Sequence, residues 1–146
     1  LSKLVTDVIS EMSKDADYHG SLIVVDQIEN FYCPCDEEKV KMVLTQLIGN
    51  AIDFSPLGYG MIDVKLYKED RHAKIIVKDN GIGILTNRLE TVFEKFYQMD
   101  TSILREHGGA GLGLSICKGI IEGHKGKIWA ESHGTGAEIH VLLPIG

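Results

Sequence analysis

No apolar run in the 146 residues approaches the ~20 needed to span a bilayer, and no signal peptide is visible, so membrane-spanning and secreted classes find no support in this stretch. Basic charge is also scarce: 15 Lys and Arg stand against 21 Asp and Glu, a net charge of -6 with no basic cluster, which argues against nucleic acid as a partner. Three cysteines lack a zinc-like pairing, and about four ligands would be needed for metal. Cys33 and Cys35 flank Pro34 at strand spacing, so both should face one side, and all three thiols are expected reduced and partly buried in a cytoplasmic protein. There are no internal repeats and no low-complexity tracts. What remains is an ordinary globular composition, long enough for one domain with a real core. The chain begins at Leu1 in mid-pattern and is expected to be a fragment of something longer, with a membrane anchor elsewhere in the parent left open.

Glycine, by contrast, is plentiful where it is informative. Gly108-Gly109-Ala110-Gly111-Leu112-Gly113-Leu114 leads directly into Ser115 to Ile121, which has helical character. Glycines let backbone N–H groups approach a phosphate, and the N–H groups of a helix start attract anions. By itself the stretch fits a phosphate cradle or a flexible linker equally well. A dinucleotide fingerprint fails, because its third glycine would fall on Leu114 or Ile116.

The hydrophobic pattern supplies the frame. Leu1 to Met12 carries Leu1, Leu4, Val5, Val8, Ile9 and Met12 at helical spacing. Ser21 to Val25 is short and β-branched, and Phe31 to Cys35 reads as another extended piece, with Pro34 suited to an edge strand. Asp36 is placed to cap a helix that buries Val40, Val43, Leu44, Leu47, Ile48 and Ala51 and stops at Ser55-Pro56. Met61 to Lys68 and Ala73 to Lys78 alternate and predict an antiparallel hairpin. Leu85 to Phe96 has Leu89, Val92, Phe93 and Phe96 at helical spacing, so a helix is expected there. Two further strands, Lys127 to Ser132 and Ala137 to Leu143, are joined by Gly134-Thr135-Gly136. The order predicts an α+β fold, a two-layer sandwich of a mixed, mainly antiparallel sheet covered on one face by helices.

Two polar constellations stand out. Gln46, Asn50 and Asp53 share a stripe beside the apolar face of the second helix, at i, i+4 and i+7. Asn50 there is either a satisfied polar residue or a hard oxygen ligand for Mg²⁺. Asp79, at the end of a strand and followed by Gly81 and Gly83, is either a turn cap or an acceptor for an exocyclic amine on a flat ring that the glycines admit.

Their order is the discriminating feature. A Gln46-to-Ser55 helix, Asp79 to Gly83, Phe93-Glu94-Lys95-Phe96-Tyr97 and Gly109 to Gly113 follow one another at compact spacing. With Gly126 to Ser132 downstream, the chain resembles, over essentially its whole length, the catalytic ATP-binding domain of sensor histidine kinases, relatives of gyrase, MutL and the ninety-kilodalton heat-shock chaperones. The resemblance implies ATP and Mg²⁺ as cofactors, held between the helical layer and a flexible lid from about Tyr97 to Gly111. It assigns nucleotide binding to Asn50, Asp53, Phe54, Asp79, Gly81, Ile82, Gly83, Lys95, Tyr97, Arg105, Gly109, Ala110, Gly111, Leu112, Gly113 and Leu114. Asn50 would hold the metal with help from Gln46, Asp79 would read the adenine amine and Phe54 would pack near the base. Lys95 and Arg105 would bring positive charge to the lid.

Two positions depart from the family pattern: Asp53 stands where a basic residue is usual, and Ala110 where threonine is usual. Asp53 should repel ATP unless it helps hold the metal, so binding is expected to be measurable without being unusually tight. The hydrolytic cousins carry a glutamate as base where Gln46 stands, which favours phosphoryl transfer to a protein nucleophile over hydrolysis. His19, His72, His107, His124, His133 and His140 all read as surface or turn residues, and none has the acceptor setting; His107, beside the glycine loop, is nearest the lid. The acceptor histidine is therefore expected upstream on a dimerisation domain, in a homodimeric parent that hands its phosphoryl group to a response regulator. A serine-directed kinase of the anti-sigma-factor type and a non-catalytic module of the same fold are the alternatives.

Overall fold

The computed structural model describes residues 1–94, 113–132 and 135–145. Helix α1 (Ser2–His19) leads into β1 (Ser21–Ile28), α2 (Glu37–Phe54), β2 (Gly60–Glu69) and β3 (His72–Asp79); α3 (Gly113–Gly123), β4 (Lys127–Glu131) and β5 (Glu138–Pro144) follow. The strands form one five-stranded sheet in the order β1-β2-β3-β5-β4. β1 and β2 are parallel, joined by a crossover through α2, and the other three pairs are antiparallel. The sheet is mixed and mainly antiparallel, as the element order predicts.

The core lies on one face. Alternation puts Ile62, Val64 and Leu66 of β2, Ala73, Ile75 and Val77 of β3, and Val141 and Leu143 of β5 on the covered side. Val5 and Val8 of α1, Leu44, Leu47 and Ile48 of α2, and Cys117 and Ile121 of α3 close over them. Helix α2 begins where expected: the Asp36 side chain accepts from Lys39 N at 3.1 Å, and Glu37 and Glu38 follow in the first turn, where they favour the dipole. It ends as Ser55 turns extended before Pro56. Helix α1 runs seven residues past the predicted Met12 and is closed by Gly20 in the left-handed region (φ 77°).

Two expected elements are absent among the described residues. Phe31 to Cys35 forms no strand. The parallel ladder ends at Glu29, whose N–H donates to Leu66, and Cys33 then turns into the core while Phe31 and Cys35 pack against it. Both cysteines do face the core, but by burial rather than strand pairing. Leu85 to Glu94 is not a helix either; it makes two short 3₁₀ turns, Thr86–Arg88 and Thr91–Phe93. The segment is rich in Thr and Asn, which favour turns over helix interiors. Its apolar residues find their partners through these turns: Val92 and Phe93 bury with Ala130, against Leu89, Ile84 and Leu114.

Candidate nucleotide site

Asp79 continues the covered stripe of β3 to the very end of the strand, which leaves a carboxylate at the mouth of an apolar layer. The chain answers it with backbone donors. Asp79 Oδ1 accepts from Gly81 N at 2.8 Å and from Ala137 N at 3.3 Å, while Asp79 N donates to Ala137 O at 3.0 Å. Burial pushes the carboxyl up from its ordinary range, and the two N–H bonds oppose that only in part. Among the described residues Oδ2 takes no hydrogen bond, so one oxygen is fixed by protein and the other is available to an amine.

Glycine is required around this carboxylate for steric reasons. A Cβ on Gly81 would collide with the Phe54 carbonyl, and one on Gly136 with the Asp79 carbonyl. Gly136 (φ +86°) and Gly83 (φ +76°) also occupy the left-handed region, where side chains are strained. Ser132 completes the fastening, since its Oγ donates to Gly136 O at 2.8 Å and accepts from Ile84 N at 3.2 Å. Asn80 ties the same loop to β2: its Oδ1 accepts from Met61 N at 2.8 Å and its Nδ2 donates to Tyr59 O at 3.2 Å. Gly136, Ala137, Ser132 and Asn80 shape the surroundings of Asp79, and nothing in their linear spacing announces it. The glycines before the last strand are visible in the sequence, but only the Ala137 bonds to Asp79 and the close approach of Gly136 reveal that the start of β5 clamps Asp79.

The second constellation lies on α2. Gln46, Asn50 and Asp53 line one open groove of about 580 Å³ together with Met12, Glu38, Lys41, Met42, Thr45 and Gly49, which confirms that the three share a stripe. Gln46 Nε2 donates to Asn50 Oδ1 at 2.9 Å. A Cβ on Gly113 would come within 2.5 Å of the Gln46 amide, so the glycine that opens α3 makes room for Gln46. The helix after the glycine loop is thereby seated directly on the Asn50 stripe.

The remaining sequence-predicted residues divide. Phe54 is half-buried at the end of α2, with its carbonyl against Gly81. Ile82 is 60% exposed, and Leu114 packs between the two apolar clusters. Lys95, Tyr97, Arg105, Gly109, Ala110, Gly111 and Leu112, with the expected lid and His107, lie outside the described residues. Of the histidines, His124 is a turn residue as expected, its Nε2 accepting from Asp36 N. His140 is not: it is buried within β5, covered by a stacked Trp129 that the linear pattern does not reveal.

The site therefore offers a carboxylate at the end of a buried strand, a glycine-lined approach to it, and a pair of amides one helix away. The family described as "Histidine kinase-, DNA gyrase B-, and HSP90-like ATPase" matches residues 35–146, and the chain belongs to it. Within that family its fold is the one seen in histidine kinase catalytic domains: the catalytic domain of histidine kinase ThkA superposes with a TM-score of 0.86 at 26% identity, covering 99% of this chain and 92% of that one. ThkA in complex with the response regulator TrrA gives 0.84 at 25% identity, over 100% of this chain and 40% of that one. The sensor histidine kinase WalK of Bacillus subtilis is 39% identical over 117 residues, 79% of this chain. The chain spans about a fifth of that relative's length, 19%.

Proposed function

We propose that this chain is the ATP-binding part of a sensor histidine kinase, with residues 1–146 forming one catalytic domain. It binds Mg-ATP and passes the γ-phosphoryl group to a histidine on a separate dimerisation domain of a homodimeric parent. A response regulator then takes the group, as the ThkA–TrrA complex suggests by analogy. ATP as donor places the domain in the cytoplasm. The observation that carries the reading is Asp79: a buried carboxylate with one oxygen fixed by backbone donors, in a loop where Cβ atoms do not fit.

The residues present suit the group. Asp79 accepts from the adenine amine through Oδ2, and the Gly81 backbone leaves the approach open. Asn50 offers an amide oxygen, the ligand type Mg²⁺ prefers. That oxygen is now held by Gln46, so for both side chains to face one cation Gln46 must turn its own amide, a rotation that exchanges the N and O positions. When bound, Mg-ATP supplies the phosphoryl group and the cation neutralises its charge. Gln46 cannot take a proton at neutral pH, so no base for water is supplied from this helix position, which supports transfer over hydrolysis. Gly109, Ala110, Gly111, Leu112 and Gly113 contribute backbone donors on this reading, and Lys95, Tyr97 and Arg105 contribute from the lid.

The test is phosphorylation with γ-labelled ATP. The full parent should incorporate acid-labile label, lost in Asn50→Ala, while the 146-residue chain alone should incorporate none. Acid-stable label, or label on the chain alone, would overturn the reading.

A further inference from the structure

We propose that Glu131, Glu138 and His140 form a binding site for a divalent cation of the zinc(II) class on the outer face of the sheet. The site is separate from the nucleotide cradle and does not depend on the reading above.

The register makes the cluster. β4 and β5 pair so that Glu131 lies opposite Glu138, and Trp129 opposite His140. Two carboxylates directly across a ladder repel each other, an arrangement a sheet ordinarily avoids. Between them points one imidazole. His140 Nε2 lies 3.0 Å from Glu138 Oε2 and contacts Glu131 Oε2 as well. The ligand atoms of the three residues all fall within 4.8 Å of one another. Metal bonds of about 2.0–2.1 Å in a tetrahedral shell set ligand atoms roughly 3.3 Å apart, so the three protein ligands, with water as the fourth, need only small adjustments.

The imidazole is held in place by its own surroundings. His140 is 6% exposed although it sits on the face away from the helices. Trp129 stacks on it at 5.1 Å and 11°, and Lys74 Nζ lies 5.3 Å over the Trp129 ring. The ring is thus held in one orientation, Nε2 aimed between the carboxylates. Its Nδ1 is buried and has no partner among the described residues. Lys78 Nζ lies 3.8 Å from the other oxygen of Glu138 and is itself half exposed. A dication in place of the Nε2 proton neutralises both carboxylates at once, and imidazole with carboxylate oxygen is a zinc-type donor set.

The same geometry limits the affinity. Binding at Nε2 moves the ring proton to Nδ1, where the acceptor that usually supports a metal-bound histidine is missing; such supports are worth about 10–100-fold in affinity. Micromolar binding is the expectation. Chelator-treated 146-residue chain, kept reduced, should take up one equivalent of Zn²⁺ in calorimetry at pH 7.5. Glu131→Gln and Glu138→Gln each remove repulsion and should fold, yet each should weaken binding at least tenfold. Zn²⁺ should raise the melting temperature of the wild type and not of these variants, and Co²⁺ should give no thiolate charge-transfer band. Absence of binding, undiminished affinity in both variants, or thiolate bands from Cys33, Cys35 or Cys117 would overturn the proposal.

Discussion

Asp79 and Ala137 hold each other at two points: Asp79 N donates to Ala137 O at 3.0 Å, and Ala137 N donates to Asp79 Oδ1 at 3.3 Å. The end of β3 is thereby locked to the start of β5, so the carboxylate proposed to read adenine is positioned by the β4–β5 hairpin as much as by its own strand. The hairpin joint, 58 residues downstream of Asp79, thus belongs to the proposed adenine site.

Asp79→Asn separates charge from shape. The amide keeps a carbonyl oxygen for Gly81 N and Ala137 N but removes the buried charge. Because burial raises the native carboxyl above its unfolded value, its energetic cost is absent below the unfolded pKa and fully present above the native one. The variant should therefore be at least as stable as the wild type at pH 7.5. Its advantage should shrink as pH falls into the ordinary carboxylate range. Urea melts across that range check both the sign and the trend.

Gly136→Ala should damage the site from a distance. Its Cβ would collide with the Asp79 carbonyl, at a φ of +86° that alanine adopts only under strain. A loss of about 1–3 kcal/mol in stability is expected, together with weaker nucleotide binding. Gly119→Ala is the control: nothing lies within 4 Å of its added Cβ, and α3 should be unharmed or slightly steadier.

Asp53 shares the groove with Gln46 and Asn50, and a carboxylate there opposes a polyphosphate. Asp53→Lys should tighten Mg-ATP, by roughly 0.5–2 kcal/mol for a charge reversal near a half-exposed site. Unchanged or weaker affinity would mean that Asp53 assists the metal instead.

Cys117 is pushed up to about 12 by burial, so it carries almost no thiolate under ordinary conditions. In the folded chain it should resist alkylation at pH 8, and mass spectrometry should find it modified only after urea. Cys35, half-buried and also shifted upward by burial, should react before either buried thiol.

Much of this molecule is legible in its residues because the signals are local. Asp36 announces α2, and alternation in β2 and β3 fixes their hairpin. The places of Asn50 beside the apolar face of α2 and of Asp79 at the end of β3 are legible as well, since each stands at a fixed offset from an apolar pattern. What escapes is set by distant partners. Phe31 to Cys35 looks extended but is drawn into the core by Cys33. Leu85 to Glu94 has a helical spacing that two 3₁₀ turns satisfy equally well. His140 looks like a surface residue until Trp129, on the neighbouring strand, is laid over it.

The most direct test of the central claim compares ATP with GTP in the presence of Mg²⁺, by calorimetry on the wild-type chain and on Asp79→Asn. Adenine presents an amine where guanine presents a carbonyl, and a charged hydrogen bond is worth about 1.5–3 kcal/mol, roughly 10–100-fold. The wild type should bind ATP at least tenfold more tightly than GTP, and Asp79→Asn should abolish the preference. Equal affinities in the wild type, or a preference that survives in Asp79→Asn, would contradict the claim.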